Sequence, residues 1–242
     1  MKRCWAKNLG GCSAKITKEH YIGHELLQKV KVRGLHPDLE RLERPVSALT
    51  AHILCEIHNN KLSEADQEAI KLKDGLIRWF KQEEDVCKGK GFWTPTRIDI
   101  NGSLFGRWLC KVHCNFRTID NTIPAEYYVR SAFGEATSPA VRFYVQLHPG
   151  EILSYERRIW YADYFIGWSK PDEYALFHVY FMGLHFLVCP FELTADIQAT
   201  LAAKSHAQSY RGNWMETPER FVWKQGDIET KFLVFDWGST GP

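Results

Sequence analysis

The chain has 242 residues, of which 45% are hydrophobic, 14% aromatic and 25% charged. This composition excludes a disordered protein, because it supplies enough apolar surface for a packed core. The net charge of +2 excludes a strong general attraction to polyanions, although residues 1–61 carry an excess of Lys and Arg. No apolar run is long enough to span a membrane, and MKRCWAKN lacks the apolar stretch of a signal peptide. We therefore expect a cytoplasmic protein whose seven cysteines are thiols or metal ligands rather than disulfides.

Residues 1–84 are predicted to form a first domain. Lys15 to Ile22 and Leu49 to Leu54 each have the composition of a short strand. The stretch between them, residues 23–48, is predicted to be an inserted loop or short helix. A helix is predicted from Ser63 onwards, because Ser63 begins a capping signal and apolar residues then recur at helical spacing. The predicted order is therefore strand, insertion, strand, helix.

Residues 85–96 are predicted to be a linker, because this stretch contains Gly, Pro and Thr punctuation. Residues 97–242 are predicted to form a mostly β domain with one packed helix, Leu104 to Cys114, whose apolar residues share one side. Four strand-like runs follow this helix: VRFYVQLH, IWYADYFIGW, ALFHVYFMGLHFLVCPF and ETKFLVFDW. The predicted fold class is therefore α+β.

Four residues of the first domain are of the types that commonly bind zinc: Cys4, Cys12, Cys55 and His58. Zinc prefers thiolates and imidazoles in a tetrahedron, and three Cys with one His form a common structural site. The two-residue gap between Cys55 and His58 lets one turn direct both ligands to one point. The alternative is that the four residues are unrelated core residues, because free cysteines are often simply buried. We favour the structural zinc site.

Oxygen donors and a second histidine lie beside these ligands in the sequence. Glu19 and His20 follow the first cysteine pair, and Asn59 follows His58 directly. A carboxylate and a carboxamide suit Mg²⁺ or Mn²⁺, which keep several water ligands. A neutral histidine near such an ion can take a proton from water at neutral pH. The pattern therefore predicts a catalytic metal site next to the zinc.

The stretches CWAKNLGGCSAKITKEHYI and LTAHILCEIHNNKLSEAD together resemble an HNH endonuclease with a zinc staple, and in particular uncharacterised bacterial HNH-like proteins. The resemblance covers residues 4–66. It implies an N-terminal ββα-metal (treble-clef-like) zinc finger with a helical extension. It also implies that His20 is the general base and that Glu19 and Asn59 bind a catalytic Mg²⁺ or Mn²⁺. The structural zinc would be bound by Cys4, Cys12, Cys55 and His58.

The chain departs from the family's pattern at two positions. His58 stands where Cys is commoner, which leaves open whether His58 binds zinc or acts in catalysis. The middle Asn of the family, which orients the base, has no clear counterpart. Thr50 lies in that region, and His52 is an alternative support for the base.

The resemblance implies a metal-dependent endonuclease that hydrolyses phosphodiester bonds, with DNA as the expected substrate. The alternative is a non-catalytic zinc module that binds nucleic acid or a protein partner. Residues 97–242 are expected to provide substrate choice, control, a homo-oligomer contact or a protein contact.

Asp66 is expected either to support the metal site or to cap a helix. The CKVHC segment from Cys110 to Cys114 is predicted to be helix packing, with a second metal site as the alternative.

Overall fold

The fold is taken from a computed structural model that describes residues 4–20, 50–92, 94–119, 121–147, 164–168, 177–181, 184–204, 214–225 and 228–238. The predicted insertion at residues 23–48 lies outside the described residues. The described part contains ten strands and five α-helices, so the predicted α+β class is confirmed.

The strands and helices are numbered separately in chain order. The strands are β1 (Ile16–His20), β2 (Thr50–Cys55), β3 (Thr96–Asn101), β4 (Arg142–Leu147), β5 (Tyr164–Trp168), β6 (Phe177–Phe181), β7 (Leu184–Cys189), β8 (Met215–Glu216), β9 (Arg220–Gln225) and β10 (Ile228–Asp236). The helices are α1 (Glu56–Lys61), α2 (Ser63–Cys87), α3 (Gly102–Ile119), α4 (Glu126–Ala132) and α5 (Ala195–Lys204).

Strands β1 and β2 form a two-stranded antiparallel sheet, and helices α1 and α2 follow directly. Helix α1 begins at Glu56 with Cys55 as its N-cap, and only Leu62 separates α1 from α2. The predicted helix from Ser63 onwards is confirmed, but the cap at Ser63 is wrong, because Leu62 is the N-cap residue and no side chain caps the helix. The Ser63 hydroxyl instead donates to the carbonyl oxygen of Asn60 at 2.8 Å.

Two further sheets are built from the later part of the chain. In the three-stranded sheet, β10 pairs with β3 in parallel and with β9 antiparallel. The five-stranded sheet is antiparallel throughout, in the order β5-β6-β7-β4-β8. The parallel pair is possible because α3 and the elements after it separate β3 from β10 along the chain.

Helix α3 lies at the centre of the molecule and contacts α2, α4, β2, β3 and β10. The Phe105 ring lies 4.8 Å from the ring of Phe186 and 6.0 Å from that of Phe235. One buried apolar cluster contains residues from the first hairpin, α2, α3 and both larger sheets. The predicted domain boundary between residues 84 and 85 falls inside α2, which continues to Cys87.

Three helices lie in the described part of residues 97–242, so the prediction of one packed helix was wrong. Helix α3 contains the predicted one. Helix α4 buries Tyr128, Val129 and Ala132, a face too short to stand out from the sequence. Helix α5 is amphipathic only weakly, and its pattern does not distinguish it from a loop. Of the five helices, none is long and apolar enough to cross a membrane.

Candidate metal centre

The N-terminal segment presents two cysteines on a short, folded-back loop. Cys4 is buried and Cys12 is exposed. A single 3-10 turn at Lys7–Leu9 lies between them. Gly10 and Gly11 follow with φ values of 77° and 67°, a left-handed backbone conformation that glycine adopts without steric cost. These turns reverse the chain, so that both sulfur atoms face the same neighbour.

That neighbour is the junction of β2 and α1, where Cys55 ends the strand and His58 lies one turn into the helix. The Nδ1 atom of His58 is 3.3 Å from Sγ of Cys55, 3.4 Å from Sγ of Cys4 and 3.6 Å from Sγ of Cys12. In a tetrahedral zinc site the ligand nitrogen and sulfur atoms are about 3.6 Å apart, given zinc–ligand distances of about 2.1 and 2.3 Å. The histidine nitrogen therefore lies at the distance from each of the three sulfurs that a zinc site requires.

All four donor atoms lie within 4.8 Å of one another, and no other group of three or more Cys, His, Asp or Glu residues in the described ranges meets the same criterion. Burial raises the pKa of Cys4 to about 12 and also raises the pKa of Cys12. Burial also opposes ionisation of Cys55, but backbone N–H groups of His58 and Ser13 donate to its sulfur and lower its pKa to about 7. A bound cation would stabilise the thiolate forms of all three cysteines, which burial and their mutual repulsion otherwise disfavour.

The imidazole of His58 is held in the neutral form that a metal ligand needs. Burial lowers the pKa of His58, and the nearby charge of Lys61 lowers it further. The ring also hydrogen-bonds to the backbone of Gly10 and packs edge-on against Phe133, with ring centroids 5.3 Å apart. Such outer contacts fix the orientation of a ligating histidine.

A second polar group lies next to this cluster and joins β1, α2 and α3. The Nζ atom of Lys111 is 2.8 Å from Oε1 of Glu19 and 2.7 Å from Oδ2 of Asp66. Lys111 is only 1% exposed. Burial alone would lower the pKa of Lys111, but the two carboxylates outweigh burial and raise it. Lys111 is therefore a permanent positive charge between two acidic side chains.

Asn59 extends this group towards the zinc ligands. Its side chain lies near enough to the carboxylate of Glu19 to lower the pKa of that group, and its neighbour in the chain is His58. The Glu19 carboxyl is buried, and burial raises its pKa although Lys111 works in the opposite direction. The site is thus a closely spaced set of a carboxylate, a carboxamide, an ammonium and a second carboxylate.

The charge and the oxygen atoms of this group suit a hard divalent ion. Two carboxylates and one ammonium leave one net negative charge. In addition, Oδ1 of Asp66 is buried and accepts no hydrogen bond from any described residue. A buried carboxylate oxygen without a partner is costly. Carboxylate and carboxamide oxygens are the donors that Mg²⁺ and Mn²⁺ prefer. These residues therefore fit such an ion.

His20, the expected base, ends the described part of β1 and is half-buried. Thr50 lies directly opposite on β2. Because side chains alternate across a strand, His20 shares a face with Thr50, whereas Glu19 points to the other face. The amide nitrogen of Asn115 donates to the backbone carbonyl of His20 at 3.5 Å, and its Oδ1 accepts from the indole of Trp5 at 2.9 Å. Helix α3 thereby holds the end of β1.

The structure brings the four predicted zinc ligands together, and separately brings Glu19 and Asn59 together. It places His20 beside them in the chain but on the opposite face of the hairpin. Two residues that contact the site, Lys111 and Asn115, were not expected from the sequence. The signal for Lys111 was a basic residue within the apolar stripe of a helix. Asp66, for which a metal-site role and a capping role were both open, lies in the acidic pair.

The CKVHC segment on α3 packs in the core, as predicted. Cys110, His113 and Cys114 are all buried. The His113 ring lies 3.8 Å from that of Tyr128 and 5.1 Å from that of Phe177. Burial lowers the pKa of His113 to about 3. This histidine is therefore neutral and contributes to packing.

In comparisons with known proteins, the chain matches no protein family, no curated protein and no solved structure. A function for the chain therefore has to be inferred from its own residues and their geometry.

Proposed function

We propose that the chain is a metal-dependent endonuclease of the HNH type, with its nuclease site in residues 4–66. The β1–β2 hairpin followed by α1 would be the ββα-metal finger, and α2 its helical extension. The observation that carries this proposal is the convergence of Cys4, Cys12, Cys55 and His58 on one point, with a carboxylate and a carboxamide beside it. Asn59 directly follows His58, and its side chain lies near enough to the Glu19 carboxyl to lower the pKa of that group. Both oxygen donors suit a hard divalent ion.

The zinc in this proposal is structural. Three cysteines and one histidine complete a tetrahedron and leave no open position for water or substrate. Closing this set ties the N-terminal segment to the end of β2 and to α1. It thereby fixes Asn59, which follows His58, relative to Glu19 on β1. His58 is assigned to the zinc and not to catalysis.

The catalytic site would use oxygen atoms of Glu19 and Asn59 to hold Mg²⁺ or Mn²⁺. Such an ion, when bound, polarises the scissile phosphate and stabilises the charge that develops on the leaving oxygen. His20 would accept the proton of the attacking water. Thr50 is placed across the hairpin to orient the imidazole of His20, because directly opposite side chains on paired strands are close neighbours.

The position of His20 at the end of the described strand is important for this chemistry. Glu19 and His20 face opposite sides of β1, but consecutive Cα atoms are only about 3.8 Å apart. A phosphodiester bound at the strand end can therefore contact both faces. The Asn115 hydrogen bond to the carbonyl of His20 would keep this strand end in place.

DNA is the proposed substrate. The excess of Lys and Arg in residues 1–61 favours a polyanion near this part of the chain. The larger sheets would provide substrate choice, a homo-oligomer contact or a protein partner contact. A cytoplasmic setting also stays a prediction from the sequence.

A non-catalytic zinc module that binds nucleic acid or a protein is the second candidate. The observation that favours it is the Lys111 ammonium, which already neutralises part of the charge of Glu19 and Asp66. A buried ion pair of this kind can also exist for structural reasons alone. The two candidates differ in whether the acidic pair binds a divalent ion and supports hydrolysis.

The test is incubation of supercoiled plasmid with the zinc-loaded protein and either Mg²⁺ or Mn²⁺. We expect the wild type to nick or linearise the plasmid and EDTA to stop the reaction. His20→Ala should reduce the rate by about 10²–10⁴-fold, the usual contribution of a general base. Cys87→Ala is the control, because Cys87 is exposed at the end of α2 and has no part in the proposed site; this variant should keep wild-type activity.

Zinc content and thermal unfolding should be the same for both variants and the wild type. Cleavage that persists in a clean His20→Ala preparation would remove the base assignment. A zinc-loaded wild type that binds plasmid without cutting it, with either ion, would favour the non-catalytic module.

A further inference from the structure

The ion pair between Lys111 and the two carboxylates uses only part of their bonding capacity. Lys111 contacts Oε1 of Glu19 and Oδ2 of Asp66, so one oxygen of each carboxylate is not taken by the ammonium. Oδ1 of Asp66 is the buried oxygen that no described residue satisfies. An ammonium group has three N–H donors, and the described residues supply acceptors for two of them. Within the described residues, Oδ1 of Asp66 is thus an acceptor without a donor, close to the Lys111 ammonium.

The net charge of Glu19, Asp66 and Lys111 indicates which ligands this group can bind. Without an ion, Glu19, Asp66 and Lys111 sum to one negative charge. A divalent ion changes that sum to one positive charge, which matches the single negative charge of a phosphodiester. If Lys111 were absent, the ion-loaded group would be neutral and would have no net charge to attract the substrate. Lys111 therefore affects metal and phosphodiester in opposite directions, repelling the first and attracting the second.

We propose that Asp66 is a third oxygen ligand of the divalent ion, and that Lys111 sets the loaded site to the charge that attracts a phosphodiester. This inference rests on the proposed function, because it concerns the same ion. It adds a ligand from α2 and a charged residue from α3 to a site otherwise built from β1 and α1. Helix α3, which packs against the β1–β2 sheet and α2, is then part of the catalytic site.

The test measures Mn²⁺ affinity of the zinc-loaded full-length protein, from the loss of the free Mn²⁺ signal in electron paramagnetic resonance. Asp66→Asn keeps the shape of the side chain and removes its charge, so we expect about ten-fold or greater weakening of Mn²⁺ binding. Lys111→Met removes a positive charge a few ångströms from the ion, so we expect about ten-fold or greater tightening. Structural damage alone would weaken binding in both variants.

Lys73→Met is the matched control for the lysine variant. Lys73 is also buried, lies on α2 and pairs with Asp74 at 3.4 Å, so its replacement should leave Mn²⁺ affinity at the wild-type value. If Lys111→Met does not fold, the double variant Asp66→Asn/Lys111→Met removes one charge of each sign. Its Mn²⁺ affinity should lie above that of Asp66→Asn.

Three results would overturn the inference: Mn²⁺ binding unchanged in Asp66→Asn, Mn²⁺ binding weakened in a folded Lys111→Met, or a double variant that binds no better than Asp66→Asn. The plasmid assay separates this inference from the proposed function. Affinities that move as expected, together with plasmid that stays intact, would uphold the ion site and end the nuclease proposal. Plasmid cleavage by the wild type, together with unchanged Mn²⁺ affinity in Asp66→Asn, would uphold the nuclease proposal and end the assignment of Asp66 as a ligand.

Discussion

Replacing Cys12 by Ser tests the zinc cluster without disturbing the core. Cys12 is exposed, whereas Cys4 and Cys55 are buried, so the loss of its sulfur opens no cavity. Structural zinc sites bind their ion with about 10–16 kcal/mol, so one of four ligands is worth roughly 3–4 kcal/mol. Cys12→Ser should therefore bind zinc about 10²–10³-fold more weakly. Because zinc binds the folded chain, the free energy of unfolding at saturating zinc should fall by a similar roughly 3–4 kcal/mol.

Cys87→Ser is the matched control for this variant. Cys87 is also exposed, but it lies at the end of α2, away from the cluster. Zinc affinity would be measured by competition with a chromophoric chelator, and stability by urea unfolding at a fixed free zinc concentration. Cys87→Ser should match the wild type in both. If Cys12→Ser matched it as well, the four donor atoms would not hold a zinc ion and the reasoning from their spacing would be refuted.

Two further predictions concern the core. Burial lowers the pKa of His113 to about 3 in the folded protein. Between about pH 6.5 and pH 3, His113 is therefore protonated in the unfolded chain but not in the folded one. The free energy of unfolding should fall with decreasing pH by up to about 1.4 kcal/mol per pH unit because of this residue alone. His113→Leu should make the measured slope between pH 6 and pH 4 shallower, and an unchanged slope would contradict the assignment. A Cβ at Gly75 would lie 2.6 Å from Cδ1 of Ile98. Gly75→Ala should therefore lower the free energy of unfolding by about 1–2 kcal/mol, despite the better helix propensity of Ala; a stabilised variant in urea unfolding would show that β3 can move away.

The zinc cluster could be predicted from the sequence because its ligands are chemically distinctive. Cys55 and His58 are close in the chain, and their two-residue gap suits one helical turn. The partners Cys4 and Cys12 are distant, but thiols that form no disulfide have few other reasons to be grouped with an imidazole. Asn59 directly follows His58 in the sequence, and this adjacency predicted that its carboxamide lies beside the same cluster.

The role of α3 could not be predicted, because it depends on long-range packing. Lys111 is 92 positions from Glu19 and 45 from Asp66 along the chain. Periodicity indicated which face of α3 is apolar, but it gave no information about which element covers that face. The face direction of His20 also depends on the register of β1 with β2, which alternation alone does not specify.

The boundary predicted between the two domains was also based on local composition, which does not show long-range packing. The Gly and Pro residues of residues 85–96 suggested a linker, but α2 continues through the first of these residues. The buried pair of Lys231 and Glu83, with Nζ and Oε2 2.7 Å apart, ties the last strand of the chain to α2. Composition identifies turns, but it does not show whether the elements on either side share a core.

The most direct test of the account is a crystal of the zinc-loaded protein soaked in Mn²⁺, with anomalous scattering recorded at the zinc and manganese edges. We expect a zinc peak among Cys4, Cys12, Cys55 and His58. We also expect a separate manganese peak about 2–2.5 Å from oxygen atoms of Glu19 and Asn59. A single ion at the cysteine cluster, with no manganese near Glu19, would contradict the proposed pair of metal sites.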